Sequence, residues 1–309
     1  MAPKLDFVSI ADTPQDTLLH ILATAKRLKA QHKATGRNDP LLAGKVLAMI
    51  FEKPSLRTRV SFETAMIHLG GAAIYISPSE VGLGTRESVP DVARVLSGMV
   101  DGIMARVFEH AKLKELSKYG SIPVINGLSD YSHPCQALAD LMTADEHFGR
   151  LAGLTLAYVG DGNNVARSLM VACARLGVKF RIASPPGYEL EPSLIERIMS
   201  QCPALDFVTT REPERAVSNA DIIYTDTWVS MGQEAEKAQR LPVFMPYQIN
   251  RQLLSNAPPT AIVMHCLPAY RGVEITDEVI DGPQSVVFQE AANRLHFQKG
   301  LLAVLLGKV

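Results

Sequence analysis

A chain of 309 residues, 47% hydrophobic and 20% charged, has the make-up of a soluble globular protein able to bury a large core in one big domain or two. Its formal net charge of −1 excludes nucleic acid or an anionic membrane as the main partner, since either calls for a basic excess. No apolar run is long enough to span a bilayer, and Cys135, Cys173, Cys202 and Cys266 are too few and scattered for a disulfide framework or a zinc finger, which fits a reducing cytoplasm.

The N-terminal stretch TPQDTLLHILATAKRLKAQ predicts a helix with Thr13 as cap and Pro14 at its first position, rather than a signal peptide. Short β-branched runs then alternate with helical patterns: KVLAMIF from 45, AAIYI from 72, DGIMAR from 101 and SIPVINGL from 121. That order predicts an α/β fold with mainly parallel strands flanked by helices. A helix starting near His133, with Leu138, Leu141 and Met142 at helical spacing, ends this half. The pattern restarts at LTLAYVG (154) and continues through VKFRIAS, DFVTTR, DIIYTD and AIVMHCL to a last strand, SVVFQE at 285. The divide falls near residue 150, in FGRLAG. It gives a first domain over 1–150, a Rossmann-like second domain over 151–290, and a terminal helix over 291–309 whose apolar face returns to the first domain.

In parallel sheets ligands bind beyond the carboxyl ends of the strands, so the residues following each strand are the candidates. After the first strand, EKPSLRT places Ser55, Arg57 and Thr58 where a helix begins. Unpaired backbone N–H groups and the helix dipole favour an anion there, although simple capping also accounts for the hydroxyls. Arg106 ends a later strand. HPCQ at 133–136 combines the imidazole of His133, a thiol and the Gln136 carboxamide at a helix entrance, a set suited to a carbamoyl or amide group; a capping surface histidine is the simpler alternative. GDGNN at 160–164 lacks the third glycine of a dinucleotide fingerprint and has no acidic ribose ligand after the next strand. Asn163 and Asn164 instead offer donors for a carboxylate. Asp226 ends DIIYTD before a loop with Ser230, Met231 and Gly232, where it can pair with an ammonium or cap a helix. In HCLP, Cys266 beside His265 suggests a nucleophile or metal ligand, yet a buried inert thiol is the commoner outcome and is preferred. Arg294, in EAANRLH, either reaches the cleft between the domains or lies exposed on a helix.

FEKPSLRTRVSFE, MARVFEH, HPCQALADL, VGDGNN, TDTWVSMGQE, HCLPA and EAANRLH, in this order, resemble the aspartate and ornithine carbamoyltransferase family over nearly the whole chain. HPCQ, HCLP and the SMG loop side with its ornithine-using members. The resemblance implies transfer of the carbamoyl group of carbamoyl phosphate to the δ-amine of ornithine, giving citrulline and phosphate in arginine metabolism, with no metal and no organic cofactor. It implies that Ser55, the Leu56 backbone, Arg57, Thr58 and Arg106 hold the phosphate. Thr58, Arg106 and His133 then polarise the carbamoyl oxygen, and Gln136 and the Leu267 carbonyl orient its nitrogen. Asn164, Asp226, Ser230 and Met231 read the amino-acid head group, with Cys266 and Arg294 near the reacting end and no covalent intermediate on the thiol. Two departures stand out: Leu56 replaces the family's usual threonine, and Ser79 stands where many members carry a glutamine that reaches a neighbouring subunit. A homotrimer or a multiple of trimers and a cytoplasmic location are further expectations, since no mitochondrial targeting peptide precedes the first domain. The rival readings are a carbamoyltransferase for putrescine or N-acetylornithine, a nicotinamide-dependent dehydrogenase, and a non-catalytic relative.

Overall fold

The computed structural model describes residues 4–229, 234–307 and 309. It separates into two compact units, 1–139 with 292–309, and 140–291. Among the described residues no helix is long and apolar enough to cross a membrane.

The first unit is built on four strands, β1 (Val46–Phe51), β2 (Ala72–Ile76), β3 (Gly102–Arg106) and β4 (Val124–Leu128), all parallel, in the order β2-β1-β3-β4. β1 and β3 are buried over nearly their whole length, which is why they show as continuous apolar runs rather than alternating ones. The chain leaves β1 toward β2 on one side and enters β3 on the other. The carboxyl ends of β1 and β3, where Phe51 pairs with Arg106, therefore form a topological switch point. The terminal helix Val287–Leu306 packs in this unit from residue 292 onward, with Phe297 against Phe7 at 6.3 Å between ring centroids. Gly300 admits the helix Gln15–Thr35 so closely that an added Cβ would lie 2.6 Å from the Ala25 nitrogen and the Ile21 oxygen.

The second unit carries five parallel strands, β5 (Thr155–Val159), β6 (Lys179–Ala183), β7 (Phe207–Thr210), β8 (Ile222–Thr225) and β9 (Ile262–His265), in the order β7-β6-β5-β8-β9. This is the doubly wound order of a Rossmann-like sheet, with its switch point between β5 and β8. The helix Asn164–Leu176 follows β5 and stops at Gly177, whose φ of 71° supplies the left-handed turn that ends a helix cheaply only at glycine.

Two local expectations are corrected. SVVFQE forms no strand: Ser285 makes one bridge to Val263, and helix begins at Val287. Three apolar residues cannot by themselves distinguish a strand from a helix start, and the helical periodicity continuing through residue 306 prevails. Thr13 does not cap the first helix either; its hydroxyl donates to the Ser9 carbonyl at 2.8 Å, and extended Pro14 (ψ 142°) occupies the cap position.

Candidate active site

At the switch point of the first unit, the helix Leu56–His68 begins directly after the loop that leaves β1. Ser55 caps it, its Oγ accepting from the Thr58 backbone N–H at 3.3 Å and donating to Thr58 Oγ1 at 3.1 Å. Arg294, buried, spreads its guanidinium between two motifs: Nη1 donates to Gln136 Oε1 at 2.5 Å and Nη2 to Thr58 Oγ1 at 3.2 Å. Thr58 thus accepts twice, leaving its own hydroxyl hydrogen as the donor for a ligand. His133, Gln136 and Arg106 are buried in the same unit. The imidazole of His133 is held well below its ordinary pKa by burial, then by the charges of Arg294, Arg106 and Arg57. Three guanidiniums about a neutral imidazole, in the same unit as a helix N-terminus, make a strongly electropositive cluster of hydrogen-bond donors, chemistry that suits a multiply charged anion. Leu56, at the first helical position, is 76% exposed and brings no side-chain polar group. The thiol of HPCQ plays no part: Cys135 is buried, donates to the Asn126 carbonyl at 3.4 Å and is pushed up to about 12 by burial.

At the switch point of the second unit, Asn163 links two strand ends. Its Oδ1 caps the helix by accepting from the Val165 and Ala166 N–H groups at 2.9 and 3.1 Å, and its Nδ2 donates to Asp226 Oδ2 at 2.8 Å. Asp226 Oδ1 accepts from the Cys266 thiol at 3.1 Å. Burial, followed by the nearby carboxylates Asp226 and Glu290, pushes this thiol well above its ordinary value. Cys266 is therefore a protonated hydrogen-bond donor and a poor nucleophile. Asn164 stands at the first turn of the same helix, and Leu267 has a φ of 55° before a cis bond to Pro268. Ser230 and Met231 lie outside the described residues; the segment before them is fixed by Arg240, which donates to Asp161 Oδ2 at 2.8 Å and to the Trp228 carbonyl at 2.9 Å.

The ligand atoms of Asp226, His265 and Cys266 lie within 4.8 Å of one another, a spacing that can hold a metal ion. Both ring nitrogens of His265 are already engaged, however, Nε2 with Glu274 Oε1 at 3.0 Å and Nδ1 with the Leu267 N–H at 2.9 Å. The imidazole has no lone pair left to offer.

Sequence reasoning missed a buried polar layer beneath HCLP. Glu290 accepts from the His265 N–H through Oε2 at 2.9 Å and from the Tyr224 hydroxyl through Oε1 at 3.3 Å; that hydroxyl also reaches Asp140 Oδ2 at 3.1 Å. Burial and the neighbouring Asp140 raise Glu290 well above the carboxylate range, so the pair holds a proton. The one available signal was an acid in the apolar helical stretch ALADL.

The sequence of residues 5–146 matches the family model described as aspartate/ornithine carbamoyltransferase, carbamoyl-P binding domain, and residues 152–305 match the Asp/Orn binding domain of the same family. This chain belongs to the aspartate/ornithine carbamoyltransferase family. It is 52% identical over 306 residues to an ornithine carbamoyltransferase of Pyrococcus abyssi, covering 98% of this chain and 96% of that one. It is 50% identical to one of Pyrococcus furiosus named anabolic, covering 98% and 97%. Among solved structures, the ornithine carbamoyltransferase of Pyrococcus furiosus superposes with a TM-score of 0.94 at 49% identity, covering 100% of this chain and 98% of that chain. The carbamoyltransferase family model assigns Arg294 to the second domain by sequence, yet its hydrogen bonds to Thr58 and Gln136 place it in the first unit.

Proposed function

We propose that this chain transfers the carbamoyl group of carbamoyl phosphate to the δ-amine of L-ornithine, giving L-citrulline and phosphate. The observation that carries the reading is the cluster of Arg57, Arg106 and Arg294 about neutral His133 at the capped start of the Leu56–His68 helix. Carbamoyl phosphate is an anion joined to an amide-like head, and this cluster offers charge for the one and neutral donors for the other. Ser55, the Leu56 N–H, Arg57, Thr58 and Arg106 take the phosphate. His133, Thr58 and Arg106 face the carbamoyl oxygen, and Gln136 and the Leu267 carbonyl face its nitrogen. Donors aimed at an oxygen that gains charge in the tetrahedral transition state lower the barrier, each by a factor of roughly 10²–10³ where measured in other enzymes.

In the second unit the Asp226 carboxylate, oriented by Asn163, suits the α-ammonium of an amino acid, and Asn164, with the segment containing Ser230 and Met231, suits its carboxylate. Putrescine has no such head group, and N-acetylornithine has lost the α-ammonium, which favours free ornithine. The neutral amine attacks the carbamoyl carbon, the C–N bond forms as the C–O bond to phosphate breaks, and the amine's proton ends on the departing phosphate. The half-buried, protonated thiol of Cys266 supports a non-covalent role. No step calls for a metal or an organic cofactor. Exposed Val60, Ile67 and Ile74, on the Leu56–His68 helix and edge strand β2, support self-association of this unit, and the family resemblance makes the trimer the expected assembly. The four free cysteines support a cytoplasmic location.

The test is citrulline formation with ornithine, aspartate, putrescine and N-acetylornithine as parallel acceptors, and Arg57→Ala as control. Turnover with ornithine alone, lost in the control, is expected. Turnover with another acceptor would overturn the assignment of Asp226 as the ammonium partner.

A further inference from the structure

We propose that Glu274 is a positioning residue for carbamoyl transfer, acting through His265 on the Leu267 peptide and the Cys266 thiol; this rests on the function proposed above. Glu274 and His265 are both fully buried, and the hydrogen bonds of the Glu274 carboxylate run to His265 and Tyr270 rather than, among the described residues, to one assigned to substrate. The direction of the relay follows from its hydrogens. The Leu267 N–H donates to His265 Nδ1 at 2.9 Å, so that nitrogen carries no hydrogen, and the ring hydrogen sits on Nε2, pointing at Glu274 Oε1 3.0 Å away. The same carboxylate oxygen accepts from the Tyr270 N–H at 2.5 Å, and the Glu274 carbonyl accepts from the Ile249 N–H at 2.9 Å, so the acceptor is itself anchored at both ends.

What the relay holds is a backbone conformation that leucine rarely adopts. Leu267 has a φ of 55°, in the left-handed region where a Cβ crowds the following carbonyl. Such a residue keeps its conformation only where its surroundings over-determine it, and its N–H bond to His265 is one of those restraints. Cys266 stands between the two bonded residues, so the same short ring also sets the thiol that reaches Asp226 Oδ1 at 3.1 Å. Without the acceptor at Glu274, the imidazole is free to carry its hydrogen on Nδ1. That tautomer sets one donor against another at the Leu267 N–H and releases the turn.

The variants Glu274→Ala and Glu274→Gln separate this role from packing. Glutamine keeps an oxygen for His265 and Tyr270 and puts its NH₂ where Glu274 Oε2 has no hydrogen-bond partner. Its kcat should stay within about threefold of the native value even though the buried NH₂ lowers Tm. Alanine should lower kcat about a hundredfold, the scale of a misplacement of roughly 1 Å. Imidazole ¹⁵N shifts should show the hydrogen of His265 on Nε2 in the native and glutamine proteins. A folded alanine variant with native kcat, a glutamine variant as slow as alanine, or a native His265 protonated on Nδ1 alone would each overturn the proposal. If the alanine variant fails to fold, the glutamine variant and the native tautomer decide. If the native chain makes no citrulline, the reading of function fails separately, and the ¹⁵N shifts still test the relay.

Discussion

Arg294 is the side chain on which the first cluster depends, because one planar group serves two partners from distant parts of the chain. Its Nη1 and Nη2 reach Gln136 Oε1 and Thr58 Oγ1 together, a fork that a lysine ammonium on a flexible stem cannot reproduce. It also contributes to keeping His133 neutral, second only to burial. Arg294→Lys should therefore retain the positive charge yet lower kcat/KM for carbamoyl phosphate by roughly 10²-fold, a loss on the scale of an oxyanion-hole donor. Initial-rate kinetics with ornithine saturating would measure it. Activity within about threefold of native would mean that charge alone, and not the fork, is what the site uses. The family resemblance puts Arg294 near the reacting end, but neither it nor the residues alone foretold the fork to Gln136 and Thr58. EAANRLH gives a helical arginine with nothing to tell an exposed one from a buried one, and its partner Gln136 lies 158 positions away.

At the scale of elements, legibility followed distance along the chain. The central strands were recoverable because they are parallel and buried, so each is an almost wholly apolar run. Ser55 and Thr58 were recoverable because the helix start they cap immediately follows β1. SVVFQE and the Thr13 cap misled because short apolar and hydroxyl signals fit more than one local structure, and tertiary partners decided between them. Asn163 marks the boundary between the two kinds of signal: its place at a helix start is local, but its bond to Asp226, 63 positions on, is not. One residue thus joins the stability of the Asn164–Leu176 helix to the orientation of a site carboxylate. Asn163→Ala should cost about 1 kcal/mol from the lost cap and raise KM for ornithine about tenfold, because Asp226 loses the donor that orients it. Urea unfolding and steady-state kinetics on the same preparation read the two effects. A loss of stability with unchanged KM would confine Asn163 to capping.

At the scale of the whole molecule, the proposed reaction draws on residues of both sheets, and the pH dependence of the rate reports which group titrates. Burial and three guanidiniums keep His133 neutral at and above neutral pH, and burial with two acids keeps Cys266 protonated well past it. Neither site group therefore changes its proton between about pH 7 and 9, whereas an alkyl amine in water, with a pKa near that of lysine at ~10.4, is mostly protonated throughout that range. The attacking species is the neutral amine, so its concentration rises tenfold per pH unit. Log(kcat/KM) for ornithine should accordingly climb with a slope near one just above pH 7 and bend over below pH 9, as the α-ammonium assigned to Asp226 loses its own proton. Cys266→Ser should lower the whole profile without moving it, since serine offers the same donor to Asp226 and the titrating group belongs to the substrate. A profile that flattens in the serine variant would instead make the thiol the group that titrates, and the buried carboxylates that hold its proton would have to be reassigned with it.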